Sequence, residues 1–119
     1  DGAHNQMAIK TLINELIQFE FNRLIAVVGM VHGHDPNQVA GQLSQVADVV
    51  IACQPNSTRA QPAARIAEVC RRSCGFVLEI PSAQEALQYA RNLAEPTDLI
   101  IVTGSFYILG DAYKVQHPA

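Results

Sequence analysis

Apolar and polar positions fall in blocks along the chain. Four short runs, Leu24–Met30, Val49–Cys53, Phe76–Ile80 and Leu99–Val102, are mostly continuous in apolar residues and rich in Val and Ile. Continuous runs of this length suit strands buried on both faces better than the alternating strands of a half-exposed sheet. Between the runs the apolar spacing becomes helical. Ile9, Leu12, Ile13, Leu16 and Ile17 form one stripe, and Val39, Leu43 and Val46 a second. Ala63, Ile66, Ala67 and Cys70 form a third, and Ala86, Leu87, Ala90, Leu93 and Ala94 a fourth. Such stripes mark helices that bury one face. Ser82-Ala83-Gln84-Glu85, just after Pro81, reads as a capping box. Pro96 disfavours helical geometry at Glu95 and so closes the fourth helix. A further short helix is predicted near Tyr107–Tyr113.

Helices alternating with strands predict an α/β fold with a mostly parallel sheet flanked by helices, in three αβα layers joined by right-handed crossovers. With no repeat, low-complexity tract or linker, residues 1–119 are expected to form one domain. The opening Asp1-Gly2-Ala3-His4-Asn5 leads straight into a helix and reads as the loop that follows a strand. The chain is therefore expected to be a fragment or to borrow a strand from a larger protein. A missing strand would leave sheet edges open and favour self-association.

Composition removes several function classes. Of 119 residues, 49% are hydrophobic and 16% charged, which is a globular rather than a disordered balance. A net charge of −3 gives no basic stripe for nucleic acid. No apolar run approaches the roughly 18–20 residues that span a bilayer, and the signal-peptide pattern is lacking. Three cysteines without a dense framework point to a reducing, cytoplasmic setting. Cys53 sits in an apolar run, Cys70 and Cys74, four apart, are expected to share one helix face with Ile66 and Ala67, and all three read as buried structural thiols.

In open parallel sheets ligands sit beyond the C-terminal ends of the strands. Here those ends are Asp1–Asn5, Gly29–Asp35, Gln54–Arg59, Pro81-Ser82 and Gly104–Tyr107. Asp1 is suited to ribose hydroxyls, and His4, near a helix N-terminus, to a phosphate or carboxylate. Simple capping by Asn5 and a favourable helix-dipole position for Asp1 account for the same residues. Gly104 permits close backbone approach, Ser105 can bind a ligand oxygen or cap a helix, and Tyr107 adds a phenol. His32-Gly33-His34-Asp35 holds potential metal ligands on one loop, against a plain loop that caps the next helix through Asp35. Arg59 can pair with phosphate or carboxylate, or stand as a surface arginine. No GxxxxGK[ST], GxSxG, HExxH or GxGxxG pattern is present. On the residues alone this is a ligand-binding domain with no catalytic residue of its own and no metal site.

Taken in order, these segments resemble the C-terminal domain of the folylpolyglutamate synthase and dihydrofolate synthase family, within the Mur ligase superfamily. Asp1-Gly2-Ala3-His4-Asn5 is similar to its DGAHNP motif, with Gln6 in place of proline. Val28 through Asp35 resembles its glycine–methionine strand end and DKD-like loop, with Gly33 and His34 replacing the acidic and lysine members. Arg59-Ala60 looks like its arginine–alanine step, and Val102 through Tyr107 like its VTGS-aromatic-Tyr segment. The resemblance implies a Rossmann-like third domain that closes over a central ATPase domain holding the phosphate loop and most of the Mg2+ ligands. ATP would phosphorylate a folate carboxylate, and the amine of L-glutamate would displace the phosphate. It implies nucleotide contacts at Asp1, His4 and Asn5, glutamate contacts at His4, Ser105 and Tyr107, and loop contacts at Asp35 and Arg59. Implied partners are ATP, L-glutamate, a folate or dihydropteroate, and the central domain; the isolated chain would be inactive. Two alternatives stand beside this: a non-catalytic nucleotide- or amino-acid-binding module, and the C-terminal domain of a cell-wall Mur ligase. Gly2 and the VTGS-aromatic-Tyr ending favour the folate branch.

Overall fold

The structure is a computed structural model, described for residues 10–103 apart from Leu12, Ile17, Phe19 and His34, and for the backbone of Tyr107–Gly110. Residues 10, 11 and 13–16 are helical. Then follow β1 (Leu24–Val28), α1 (Pro36–Val46), β2 (Val49–Gln54), α2 (Ala63–Arg71), β3 (Val77–Ser82), α3 (Ala83–Leu93), β4 (Leu99–Val102) and β5 (Tyr107–Gly110). The sheet order is β3-β2-β1-β4-β5. The first four strands run parallel, with Ile25 opposite Val49 and Leu24 opposite Leu99.

Both faces of the central strands are covered, which is why their runs are continuously apolar. Leu24, Ala26 and Val28 of β1, with Val50, Ala52 and Ile101 from its neighbours, pack against α1, α2 and Leu16. Ile25, Val27, Ile51 and Ile100 point the other way and pack against Ala86 and Ala90 of α3. These are the three αβα layers expected. Asp35 caps α1, and the Ser82 hydroxyl accepts the Glu85 N–H at the start of α3. The poles differ in character. At the N-terminal ends of the strands, Asp48 accepts the Leu24 N–H, and buried Asp98 binds Arg23.

Three expectations need correction. Residues 107–110 do not continue as a helix but form β5, antiparallel to β4, with Val102 opposite Tyr107. Tyr-Ile-Leu favours strand, and β4 needs a partner for its outer backbone groups, so the pairing outweighs helical spacing. Val46 does not join the buried stripe of α1 but is 40% exposed, because it lies in the last turn before the chain leaves for β2. Cys74 lies past the end of α2 rather than on its face, and its N–H closes on the Cys70 carbonyl. Among the described residues, the outer edge of β3 is unpaired, and Pro81 sits there as a strand proline must.

Candidate functional site

The winding of the sheet reverses at β1. From β1 the chain steps to β2 and β3 across the face of α1 and α2, and it returns to β4 across the opposite face through α3. The C-terminal ends of β1 and β4 therefore flank a topological switch point, where such sheets bind ligands. Two of the candidate segments, Gly29–Asp35 apart from His34 and Gln54–Arg59, are described beside it.

The loop after β1 and the loop after β2 are fastened into one unit. Val31 and Ala60 form an antiparallel bridge. The His32 N–H donates to the Arg59 carbonyl at 2.8 Å, and Arg59 Nη2 returns a bond to the His32 carbonyl at 3.1 Å. Gln61, buried, donates its backbone N–H to Met30 at 2.8 Å and its amide Nε2 to the Val31 carbonyl at 2.9 Å. Gly33 takes φ +104°, a conformation that glycine adopts without strain, and so turns the loop back over Arg59. The second loop is braced from within: Ser57 Oγ accepts the Arg59 N–H at 3.1 Å, and Gln54 Oε1 accepts the first N–H of α2 at 3.0 Å.

Gly29 is where the two sides of the rim meet. A Cβ at this position would lie 3.1 Å from Pro55 Cδ and 3.2 Å from both the carbonyl oxygen and Sγ of Cys53. On its other side the Gly29 N–H donates to Thr103 Oγ1 at 3.3 Å. Thr103 is the first residue after β4 and leads directly into Gly104-Ser105.

The candidate residues divide accordingly. Asp1, His4, Asn5 and Ser105 lie outside the described residues, as do His34 and Gly104. Tyr107 opens β5, opposite Val102 at the rim end of β4. Asp35 Oδ1 accepts from the backbone N–H and the side-chain amide of Asn37, both at 3.0 Å. Those bonds, the backbone one first, hold its carboxyl below the ordinary value. Arg59 is exposed and joined to the loop of His32, with further N–H groups to offer an anion. The Ser82 hydroxyl is committed to capping α3. Burial pushes the Cys53 and Cys70 thiols up to about 11, which leaves them as poor nucleophiles. Among the described residues no three His, Cys, Asp or Glu side chains converge on a metal position.

Sequence reasoning missed Gln61 and Thr103. Gln61 carries no local signal and Thr103 shows only as a member of the VTGS-like segment, since the partners that define their roles lie 30 and 74 residues away.

The strand order and crossovers define a doubly wound α/β domain. The family model for the Mur ligase, glutamate ligase domain matches residues 1–106, and the chain belongs to that family. It is 34% identical over 113 residues to a probable bifunctional folylpolyglutamate synthase/dihydropteroate synthase of Haloferax volcanii, covering 94% of this chain and 13% of that protein. A bifunctional folylpolyglutamate synthase/dihydrofolate synthase from Yersinia pestis, solved with AMPPNP and a Mn ion, superposes with a TM-score of 0.75 at 29% identity, covering 89% of this chain and 25% of that one. The UDP-N-acetylmuramoyl-L-alanyl-D-glutamate–2,6-diaminopimelate ligase of Brucella melitensis is 29% identical over 107 residues, 87% of this chain and 22% of that protein. The resemblance to the C-terminal domain of folylpolyglutamate synthases is thus borne out. The chain spans between about an eighth and a quarter of the length of these relatives.

Proposed function

We propose that the chain is the C-terminal, nucleotide- and glutamate-binding domain of a longer ATP-dependent folylpolyglutamate/dihydrofolate synthase, which adds L-glutamate to folates in the cytoplasm. The observation that carries this reading is the single family match over residues 1–106, which runs through every rim segment from Asp1–Asn5 to Ser105. Similarity to folylpolyglutamate synthases over 94% and 89% of the chain supports the folate branch.

In this reading Asp1, His4 and Asn5 meet the nucleotide, and His4, Ser105 and Tyr107 meet glutamate. Arg59 offers its remaining N–H groups to an anionic group at the same rim. Asp35 holds the loop through its cap on α1. The Mg2+ that accompanies ATP is held mainly by a central ATPase domain of the longer chain. The isolated chain binds nucleotide weakly and does not ligate.

The test is ATP-dependent incorporation of labelled L-glutamate by the full-length protein, with folates and with UDP-muramyl peptides as acceptors. Asp1→Ala should raise the KM for ATP and Ser105→Ala that for glutamate, each by one to two orders of magnitude. That follows from about 1.5–3 kcal/mol for a hydrogen bond to a charged group. Ligation of UDP-muramyl acceptors with none of folates would move the protein to the cell-wall branch, the second reading that the Brucella similarity favours. A free-standing module would show instead as a start codon close upstream of Asp1.

A further inference from the structure

The loop after β1 and the loop after β2 meet in one short antiparallel bridge, Val31 opposite Ala60. Its two backbone bonds run from the His32 N–H to the Arg59 carbonyl and from the Gln61 N–H to the Met30 carbonyl, both at 2.8 Å. Bonds placed on either side of a pair leave that pair's own carbonyls pointing outward, so the bridge does nothing for the Val31 carbonyl. The side chain of buried Gln61 takes it up, with Nε2 donating at 2.9 Å. One peptide further on, the His32 carbonyl accepts Arg59 Nη2 at 3.1 Å. Gly33, at φ +104°, sets that carbonyl from its far side, and a Cβ there would stand 3.7 Å from Arg59 Nη2. The successive carbonyls of Met30, Val31 and His32 are thus all bonded from the second loop, the first two by Gln61 and the last by Arg59.

We infer that Gln61 is a positioning residue for Arg59: by fixing the Val31–His32 peptide it holds the His32 carbonyl that tethers the guanidinium, and so presents the remaining N–H groups to a substrate oxyanion, carboxylate or phosphate, in one orientation. Gln61 acts through Arg59 without touching substrate, and the inference rests on the reading of Arg59 as a contact to an anionic group at the rim. Arg59 is exposed, and an exposed arginine without a tether samples many rotamers that binding would have to freeze. A guanidinium already ordered by the protein binds without that cost. Methionine at position 61 fills a similar volume and keeps the backbone bond to Met30. What it removes is the grip on the Val31 carbonyl, and with it the fixed direction of the next peptide.

The experiment uses the full-length enzyme with Arg59→Ala, Gln61→Met, Gly33→Ala and the Arg59→Ala/Gln61→Met pair, and measures kcat and the KM for glutamate, for ATP and for the folate acceptor. Arg59→Ala should raise one KM about tenfold or more, and which one tells a glutamate or folate carboxylate from an ATP phosphate. Gln61→Met should raise that same KM about fivefold, the scale of ordering one side chain on binding, and leave the other two and kcat within about twofold. Gly33→Ala, on the exposed loop, should act likewise, because it disturbs the same carbonyl from the other side; it decides alone if Gln61→Met does not fold. In the Arg59→Ala background Gln61→Met should add less than about twofold, as expected of two residues acting as one unit. A Gln61→Met enzyme that loses kcat or raises all three KM values alike has a merely structural Gln61, and one that keeps its full factor beside Arg59→Ala acts elsewhere; either result overturns the inference. If Arg59→Ala raises a KM and either the Gln61 or the Gly33 variant leaves it unmoved, the positioning inference alone is lost. If Arg59→Ala moves no KM, the reading of Arg59 as a ligand contact fails first and takes this inference with it.

Discussion

Replacing Asp98 by alanine should destabilise the domain by about 3–4 kcal/mol, and the magnitude follows from its hydrogen bonds. The side chain is fully buried, and its oxygens accept four N–H groups. Oδ1 accepts the Arg23 backbone N–H at 3.0 Å; Oδ2 accepts Arg23 Nε at 3.1 Å, Arg23 Nη2 at 2.8 Å and the Glu95 backbone N–H at 2.9 Å. Alanine leaves two backbone amides without an acceptor, at about 1–3 kcal/mol for each buried group left unpaired. The guanidinium is one-third exposed and recovers water, so it adds little. With a urea m-value of about 1.5–2 kcal/mol/M, the unfolding midpoint should fall by about 2 M. Asparagine keeps one acceptor oxygen and should cost about half as much. The effect also has a signed pH dependence. Burial drives the Asp98 carboxyl up, but the bonds from the Arg23 side chain and from the Glu95 and Arg23 N–H groups outweigh it and hold the carboxyl below its ordinary value. A folded value below the unfolded one of about 3.9 means a contribution present above about pH 4 and lost as pH falls through the folded value. The gap between wild type and Asp98→Ala should therefore narrow in acid. A cost under about 1 kcal/mol at pH 7, or a gap unchanged between about pH 6 and pH 3, would refute the reasoning.

Two further outcomes follow from buried polar and thiol groups. Both amide atoms of Gln42 in α1 are buried without a hydrogen-bond partner among the described residues, so Gln42→Met should raise the unfolding free energy by about 1 kcal/mol; a loss of that size in urea denaturation would mean that the amide is satisfied. Cys53 and Cys70 should resist labelling at pH 8 until the chain unfolds, because at a value of about 11 only about one in a thousand of these side chains is thiolate. Since burial raises those values, their contribution to stability is present below about pH 8.5 and lost as pH rises toward 11. Fast stoichiometric labelling of Cys53 or Cys70 in the folded chain would count against the buried placement.

Much of the architecture is local information and was legible in the chain itself. Continuous Val and Ile runs suit strands covered on two faces, and β1, β2 and β4 begin where those runs predict. The run from Phe76 to Ile80, expected to be buried, instead forms the half-exposed edge strand β3, with Phe76 51% exposed. The inward residues of α2 and α3 follow the helical period, and Asp35 and Ser82 announce the starts of α1 and α3 because capping uses partners two or three residues away. The gathering of polar, glycine-containing segments at strand ends also shows in the sequence, and with it the family resemblance that the match over residues 1–106 bears out.

What the chain order leaves open is which strand lies beside which, and the tertiary structure decides it. The order β3-β2-β1-β4-β5 puts Thr103 on Gly29 and Gln61 on the loop of Val31, contacts that no periodicity encodes. It buries Asp98 against Arg23, 75 residues earlier, so an acid that reads as loop becomes a strut at the pole opposite the rim. It also turns Tyr107–Gly110 into a strand, because the open edge of β4 offers backbone bonds that a helix there could not supply. Local chemistry sets the elements through interactions within a few residues. Their neighbours, and the site those neighbours build, depend on contacts across the chain that form only when the sheet closes.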